Sequence, residues 1–435
     1  MPKTVYISFS DDLVYQNHIN ILKKSAKLGE VTIGLLTDSA IAKYKTIPYL
    51  SFEQRKKTFS KLGKYIKEIV PQHDLDYTVN LKRMKPNYVT HGDNWKNGYQ
   101  KNIRTKVINT LKAWSGKLVE YPYDYQKKEI KKSLLKKITN SPDNRRAKFK
   151  RLLESKEIVR FIEAHSPLTG IISEKMKYFH KNNLHEFDGL WSSSLTDSAI
   201  RGKPDNQSVD YSTRINGLNE ILDVTTKPFM FDGDNGGKIE HLPFTIRTLD
   251  RLGVSAIVLE DKRGLKVNSL AKIQNKNSQD TIKNFKKKIE ISCENRSSKD
   301  FLIVARIESL VLGKGFNDAI KRAIEYSKSG ADLIFISSKE KNAKQVITFS
   351  KKFKKSKYFI PMIATPSTYS KTNEELLIKN NFKVVLYANQ LLRAAYPVME
   401  NVALNILKKG RSFDVEKKII SIKKILKLIP SENDW

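Results

Sequence analysis

The sequence predicts an α/β protein in two parts, a small doubly wound parallel sheet followed by a (β/α)8 barrel of the TIM type. Three observations carry this expectation. Residues 1–126 alternate strand-like with helix-like runs; a basic, turn-rich stretch follows; and beyond it eight short apolar runs recur with helical segments between most of them. A chain of 435 residues is long for one ordinary domain and has enough apolar residues for two cores.

In the first part Val5–Phe9 is a short apolar run, His18–Leu28 has helical spacing and Val31–Leu36 is apolar again, which is a βαβ beginning. Tyr88–Thr90 and Leu118–Tyr121 are further strand candidates, with Ile103–Trp114 helical between them. Residues 127–150 turn basic and polar and contain Asn140-Ser141-Pro142-Asp143-Asn144, so a linker is expected there and a barrel from 151 to 435. The eight barrel runs are Thr169–Ser173, Gly189–Ser193, Pro228–Asp232, Ala256–Glu260, Leu302–Arg306, Leu333–Ser337, Phe359–Ala364 and Val384–Ala388. Val415–Leu428 has helical spacing and is expected as a terminal helix.

Composition narrows the function. The single cysteine, Cys293, permits no internal disulfide, the first residues lack a signal-peptide layout and no apolar stretch is long enough to cross a bilayer, so a soluble, cytoplasmic protein without a membrane partner is expected. A net charge of +34 raises nucleic-acid binding as an alternative. The lysines are spread along the whole chain without interleaved aromatics, which favours solvated helix faces instead.

Barrel enzymes place their chemistry where strands end and βα loops begin. The third run ends in Asp232-Gly233-Asp234-Asn235-Gly236-Gly237, the fourth in Glu260-Asp261-Lys262, and Asp205 follows the second. A lone Asp-x-Asp is most often a cap or a surface pair, but three strand ends agreeing without a His or Cys cluster point to a hard, oxygen-seeking cation, magnesium before zinc. Arg306 ends the fifth run and suits carboxylate or phosphoryl oxygens; taken alone, it suits a structural pair with Glu308 equally well. Lys266, Asn268 and Ser269 lie on a stretch with Gly264 that has the makings of a lid.

The run Glu260-Asp261-Lys262-Arg263-Gly264-Leu265-Lys266-Val267-Asn268-Ser269 resembles the gating-loop motif of phosphoenolpyruvate mutases, in the isocitrate lyase superfamily. Glu163-Ala164-His165-Ser166, Gly189-Leu190-Trp191-Ser192-Ser193, the Asp232/Asp234 pair, Val304-Ala305-Arg306 and the run from Tyr387 to Ala395 follow the same pattern in order. The resemblance implies Mg2+ bound directly by Asp232, with Asp205, Asp234 and Glu260 acting mainly through its waters. It implies a pocket shaped by Trp191, Ser193, Ser194 and Leu195, with backbone amides near Ser193–Leu195 holding the enolate oxygen. Arg306 would bind the phosphoryl or carboxylate end, and Lys266, Asn268 and Ser269 would close over phosphoenolpyruvate or phosphonopyruvate. A homo-oligomer, a tetramer, is implied as well. The equilibrium in this family favours phosphoenolpyruvate, so a phosphonopyruvate decarboxylase is an implied metabolic partner. Two positions depart from the pattern: Ser337-Ser338-Lys339 stands where His-Ser-Lys is usual, and Ser194 where glycine is common. A phosphonopyruvate hydrolase of the same superfamily is the nearest rival reading.

Residues 1 to about 125 resemble the cytidylyltransferase domain fused to some of these mutases, through Gly34-Leu35-Leu36-Thr37-Asp38, the run Tyr88 to Trp95 and Val119-Glu120-Tyr121-Pro122-Tyr123. That fold handles a nucleoside triphosphate with a His-x-Gly-His pair and a later Ser-Ser-Thr segment. Here the pair reads Tyr15-Gln16-Asn17-His18, and Asp124-Tyr125-Gln126-Lys127-Lys128 follows Tyr123. The expectation is a retained fold with little or no transferase activity, His18 and Asp93 being relics or a weak residual nucleotide site. A bifunctional mutase and cytidylyltransferase is the alternative.

Overall fold

The computed structural model describes residues 2–97, 100–122, 141–180 and 183–428. The segment following Pro122, where the Ser-Ser-Thr loss falls, and most of the expected linker lie outside the described residues.

The N-terminal part is a parallel five-stranded sheet of order β3-β2-β1-β4-β5, built from β1 (Thr4–Phe9), β2 (Glu30–Leu36), β3 (Glu68–Gln72), β4 (Tyr88–Gly92) and β5 (Lys117–Tyr121). The two-residue period of a strand divides β1 between two cores. Val5, Ile7 and Phe9 pack with Leu22 and Phe59 on one face, whereas Tyr6 packs with Leu81, Trp95 and Val107 on the other. The four strands and two helices expected here are all present. β3 is an addition that the pattern does not announce, because Pro71 sits within it; a proline is tolerated there since β3 is an edge strand.

The second part is a closed barrel of eight parallel strands, β6 (Val159–Glu163), β9 (Gly189–Ser192), β10 (Phe229–Asp232), β11 (Ala256–Glu260), β12 (Leu302–Ile307), β13 (Leu333–Ile336), β14 (Met362–Ala364) and β15 (Phe382–Tyr387), with β15 pairing back to β6. Seven of the eight expected runs hold these strands. The first is corrected: Thr169–Ser173 lies in a helix, Pro167–Lys175, that Ser166 caps by accepting the Thr169 N–H. The true first strand was masked by Arg160, a charge in mid-strand whose guanidinium is paired with Glu374 at 2.8 Å. An antiparallel pair, β7 (Lys177–His180) and β8 (Asn183–Glu186), lies between the first two barrel strands in sequence.

A helix, Pro142–Ser155, precedes the barrel and buries Phe149 and Leu152 against Val159, Phe161, Leu302, Leu333 and Val384. Its basic residues are not a solvated face. Arg145 donates to the carbonyls of Leu222 (3.0 Å), Thr225 (3.3 Å) and Leu252 (3.4 Å), and Arg146 to that of Asp250 (2.8 Å), satisfying orphan carbonyls where two barrel helices end. Part of the charge read as solvated is therefore structural.

Residues 389–435 form a separate unit, described to residue 428, with helices Gln390–Lys409, Phe413–Glu416 and Ile422–Leu426. The single terminal helix expected over Val415–Leu428 is thus two short ones, the second started by Ser421, whose side chain accepts the Lys424 N–H. Among the described residues no helix is long and apolar enough to cross a membrane.

Gly189 opens β9 at a place with no room for a side chain, since a Cβ there would lie 2.3 Å from the Phe161 ring. Gly189→Ala should cost about 1–3 kcal/mol of stability, read as a lower midpoint in denaturant unfolding.

Candidate active site

Parallel barrel strands all end on one face, and here that face collects the acids and bases singled out above. β10 delivers Asp232, and the chain turns at once: Gly233 N donates to Val258 O (2.8 Å), Asp234 takes φ of 47° and its carbonyl receives Glu260 N (2.7 Å). Asp232 Oδ2 accepts from Ser194 Oγ (2.8 Å) and, more weakly, from Ser194 N (3.3 Å). The serine that replaces the usual glycine is thus tied to the first metal-ligand candidate.

The stretch after β11 folds over this cluster. Lys266 is buried, and its ammonium donates to Ser194 Oγ and Asp234 Oδ1 and lies 3.3 Å from Asp205 Oδ1 and 3.7 Å from Asp232 Oδ2. Asn268 donates to Asp205 Oδ2 at 2.6 Å. Ser269 Oγ donates to Glu308 Oε2 (2.6 Å) and accepts from Arg306 Nη2 (2.7 Å). Arg306 also donates to Glu308 Oε1 (2.7 Å) and Ser337 Oγ (3.1 Å), lies 3.5 Å from Glu260 Oε2 and covers the Phe335 ring at 5.0 Å. The structural pair with Glu308 is real, and it coexists with contacts to the lid. Ser337 therefore fills its position as a hydrogen-bond partner of the arginine.

The foot of the lid is stapled. Lys262 and Gln279 form an antiparallel bridge, Arg263 N donates to Ser278 O (2.7 Å) and Asp280 N to Asp261 O (2.9 Å). The Asp261 carboxylate accepts from Glu308 N (2.9 Å), Gln279 Nε2 (3.0 Å), Arg322 Nη1 (3.1 Å) and Tyr326 OH (3.0 Å). Higher on the lid, Lys339 Nζ holds the Ala271 carbonyl at 2.7 Å.

Sequence reasoning missed Arg214 and Asp197. Arg214 is fully buried on the helix Tyr211–Leu222, donates to Asp197 Oδ2 (2.9 Å) and Asp234 Oδ2 (3.4 Å) and stacks on Phe231 at 4.4 Å. Neither belongs to a strand end, and an arginine in a helix reads as solvated until the fold is known. Of the remaining expectations, Trp191 and Ser193 are buried and Leu195 is half-buried on the first turn of Ser194–Ala199. The Trp191 indole N–H finds no acceptor among the described residues.

Burial and charge pull against each other here. Burial pushes the Asp232 carboxyl up, but Lys266, Arg214 and Arg306 outweigh it and hold the group below the usual carboxylate range. Asp234 and Glu260 are pushed up, by burial first and then by the neighbouring charges of Asp232 and Glu308 respectively. Burial lowers Lys266, yet Asp232, Asp234, Glu260 and Asp205 together hold it firmly protonated.

Six carboxyl groups meet at this mouth, those of Asp197, Asp205, Asp232, Asp234, Glu260 and Glu308. Four cationic groups answer them, Arg214, Lys262, Lys266 and Arg306, each paired with at least two of these acids. Asp205 Oδ1 and Glu260 Oε2 receive no hydrogen bond among the described residues. No three acids are drawn together into a ready coordination shell among the described residues, because the Lys266 ammonium stands between them. Hard oxygen donors, two of them without a hydrogen bond, nevertheless fit a divalent cation such as magnesium.

In the N-terminal sheet a cavity of about 240 Å³ opens beside the ends of β1 and β4, lined among others by Asp11, His18, Lys24, His91 and Asn94. His18 Nδ1 accepts the Tyr15 N–H (3.1 Å), so Nε2 carries the proton and faces Asp11 Oδ2 at 3.3 Å. Asp93 is not among the lining residues.

Residues 149–407 match the family profile described as phosphoenolpyruvate phosphomutase, and residues 12–162 the one described as cytidylyltransferase-like. A phosphoenolpyruvate phosphomutase of Tetrahymena pyriformis is 28% identical over 289 residues, 66% of this chain and 92% of that protein. A phosphonopyruvate hydrolase of Variovorax sp. is also 28% identical, over 63% of this chain and 91% of that protein. The crystal structure of phosphonopyruvate hydrolase with oxalate and Mg++ is similar at a TM-score of 0.58 and 26% identity, covering 65% of this chain and 94% of that one.

Because Arg214 compensates two buried carboxylates, Arg214→Met should destabilise the protein by about 3–5 kcal/mol, seen by chemical denaturation.

Proposed function

Since the chain belongs to the phosphoenolpyruvate phosphomutase family, we propose that it interconverts phosphoenolpyruvate and 3-phosphonopyruvate by intramolecular phosphoryl transfer with Mg2+. The observation that carries this reading is the lid: Lys266, Asn268 and Ser269 are folded directly onto the acids and Arg306 at the barrel mouth.

The reaction moves a phosphoryl group from the enol oxygen to the methylene carbon of one molecule through a loose, metaphosphate-like state, with the pyruvate enolate as acceptor. Such a transfer needs charge stabilisation and exclusion of water more than a strong base. Asp232 would hold the ion directly, with Asp205, Asp234 and Glu260 around it, and the ion when bound supplies charge withdrawal at the substrate oxygens. Arg306 is oriented by Glu308 and Ser337 to grip an anionic end of the substrate. Asn268 is a neutral amide at the lid's inner edge; it steers the migrating group by hydrogen bonding without capturing it. Burial of Lys266 and Ser269 keeps water from an intermediate that would otherwise hydrolyse.

A hydrolase is the second reading, favoured by the equal identity to a phosphonopyruvate hydrolase. In the N-terminal domain, Tyr15 replaces the first histidine and the Asp11 carboxylate faces the remaining one, a poor setting for phosphate. We read this domain as inactive in transfer.

Phosphonopyruvate and Mg2+ incubated with the protein should give phosphoenolpyruvate in the phosphorus NMR spectrum; inorganic phosphate in its place would sink the mutase reading. Asp232→Ala should slow this conversion by at least about 10²-fold. Removing the ammonium that shares the acids, Lys266→Met should tighten Mn2+ binding about tenfold by calorimetry while turnover falls. CTP should not be consumed with small phosphonates.

A further inference from the structure

Among the described residues, the N-terminal sheet domain meets the barrel at the end where its strands begin, away from the mouth, through residues 37–50. Ala42 and Ile47 belong to the same buried apolar cluster as Phe149, Leu152, Val159, Phe161 and Val384, the residues that fill the lower barrel. Around that apolar contact the polar groups are matched. Arg151, on the helix Pro142–Ser155, donates through Nε (2.9 Å) and Nη2 (2.7 Å) to Asp38 Oδ2. The same guanidinium holds the carbonyls of Pro48 (2.8 Å), Tyr49 (2.6 Å) and Leu50 (3.1 Å). Asp38 spends its other oxygen on Arg55, a side chain wholly buried in the sheet domain (2.8 Å). Thr46 Oγ1 donates to Glu186 Oε2 (2.9 Å), Leu184 N to the Lys43 carbonyl (3.1 Å), and the buried Lys148 ammonium lies over the Tyr49 ring at 5.3 Å.

A nucleotide-handling domain carried on a tether needs none of this. Separation would expose Ala42 and Ile47 to water and strip Arg151 of Asp38 and three carbonyls, and the buried Lys148 of the Tyr49 ring. Residues 1–388 accordingly form one compact unit. We propose that residues 37–50 are the floor of the barrel, so that the N-terminal domain is kept as an obligatory part of the barrel's fold and unfolds together with it. This stands apart from the reaction assigned to the mouth, and its test uses no substrate.

Hydrogen exchange followed by mass spectrometry through thermal unfolding of the full chain reads the sheet domain and the barrel separately. In the unaltered protein, peptides covering β1 and those covering β6 should lose protection in one transition. Leu81→Ala opens a cavity in a sheet-domain core that contains no barrel residue, so it should lower the transition of the β6 peptides as well as the β1 peptides, by roughly 5 °C or more. Arg151→Met, which removes contacts across the seam between the domains, should lower the transition of the β1 and β6 peptides together. The proposal is overturned if the unaltered protein already melts in two steps, or if Leu81→Ala shifts the sheet domain and leaves the barrel where it was.

Discussion

Compensation of buried charge at the barrel mouth is the constraint on which the rest depends. Six acids cannot be taken out of water together unless cations come with them, and in this fold the cations arrive on three elements: Arg214 on a helix, Arg306 on a strand, and Lys262 and Lys266 on the lid. The ends of β10, β11 and β12 are thereby locked to one another and to the lid. Lys266, Asp205 and Asp232 converge at this mouth, so the position of the loop that carries Lys266 is tied to the same carboxylates that end β10 and follow β9.

What was readable from sequence follows the same physics. Asp232, Asp234, Glu260 and Arg306 were legible because they stand where strand runs end, and Lys266, Asn268 and Ser269 because they sit on a loop motif of fixed spacing just after one of those ends; all meet at one face. Arg214 was not, since nothing in its helix distinguishes a buried arginine from a solvated one. Arg160 hid the first barrel strand in the same way, and Pro71 hid an edge strand. Arg145 and Arg146 were read as part of a basic linker and are instead donors to helix-end carbonyls. Charge was the least transferable signal in this chain, because its meaning depends on partners that are distant in sequence.

The two domains differ in what their side chains offer to chemistry. The sheet has two packed faces and a cavity beside the ends of β1 and β4, where Asn17 and an Asp11-facing His18 line the wall. Apolar and backbone matching suffices for a mechanical task, whereas transfer chemistry asks for particular side chains. The contacts of Asp38 and Ile47 with the barrel supply such a task.

The stapled foot of the lid has a kinetic corollary. With Lys262 bridged to Gln279 and Asp261 held by Arg322, the intervening residues are a loop whose ends have already met. The entropy of bringing those ends together is settled once, during folding, and is not charged again at each turnover. In the proposed lid, opening would therefore be a rearrangement within a closed ring of chain, a tethered flap with a fixed perimeter, opposed by the polar contacts of Lys266, Asn268 and Ser269.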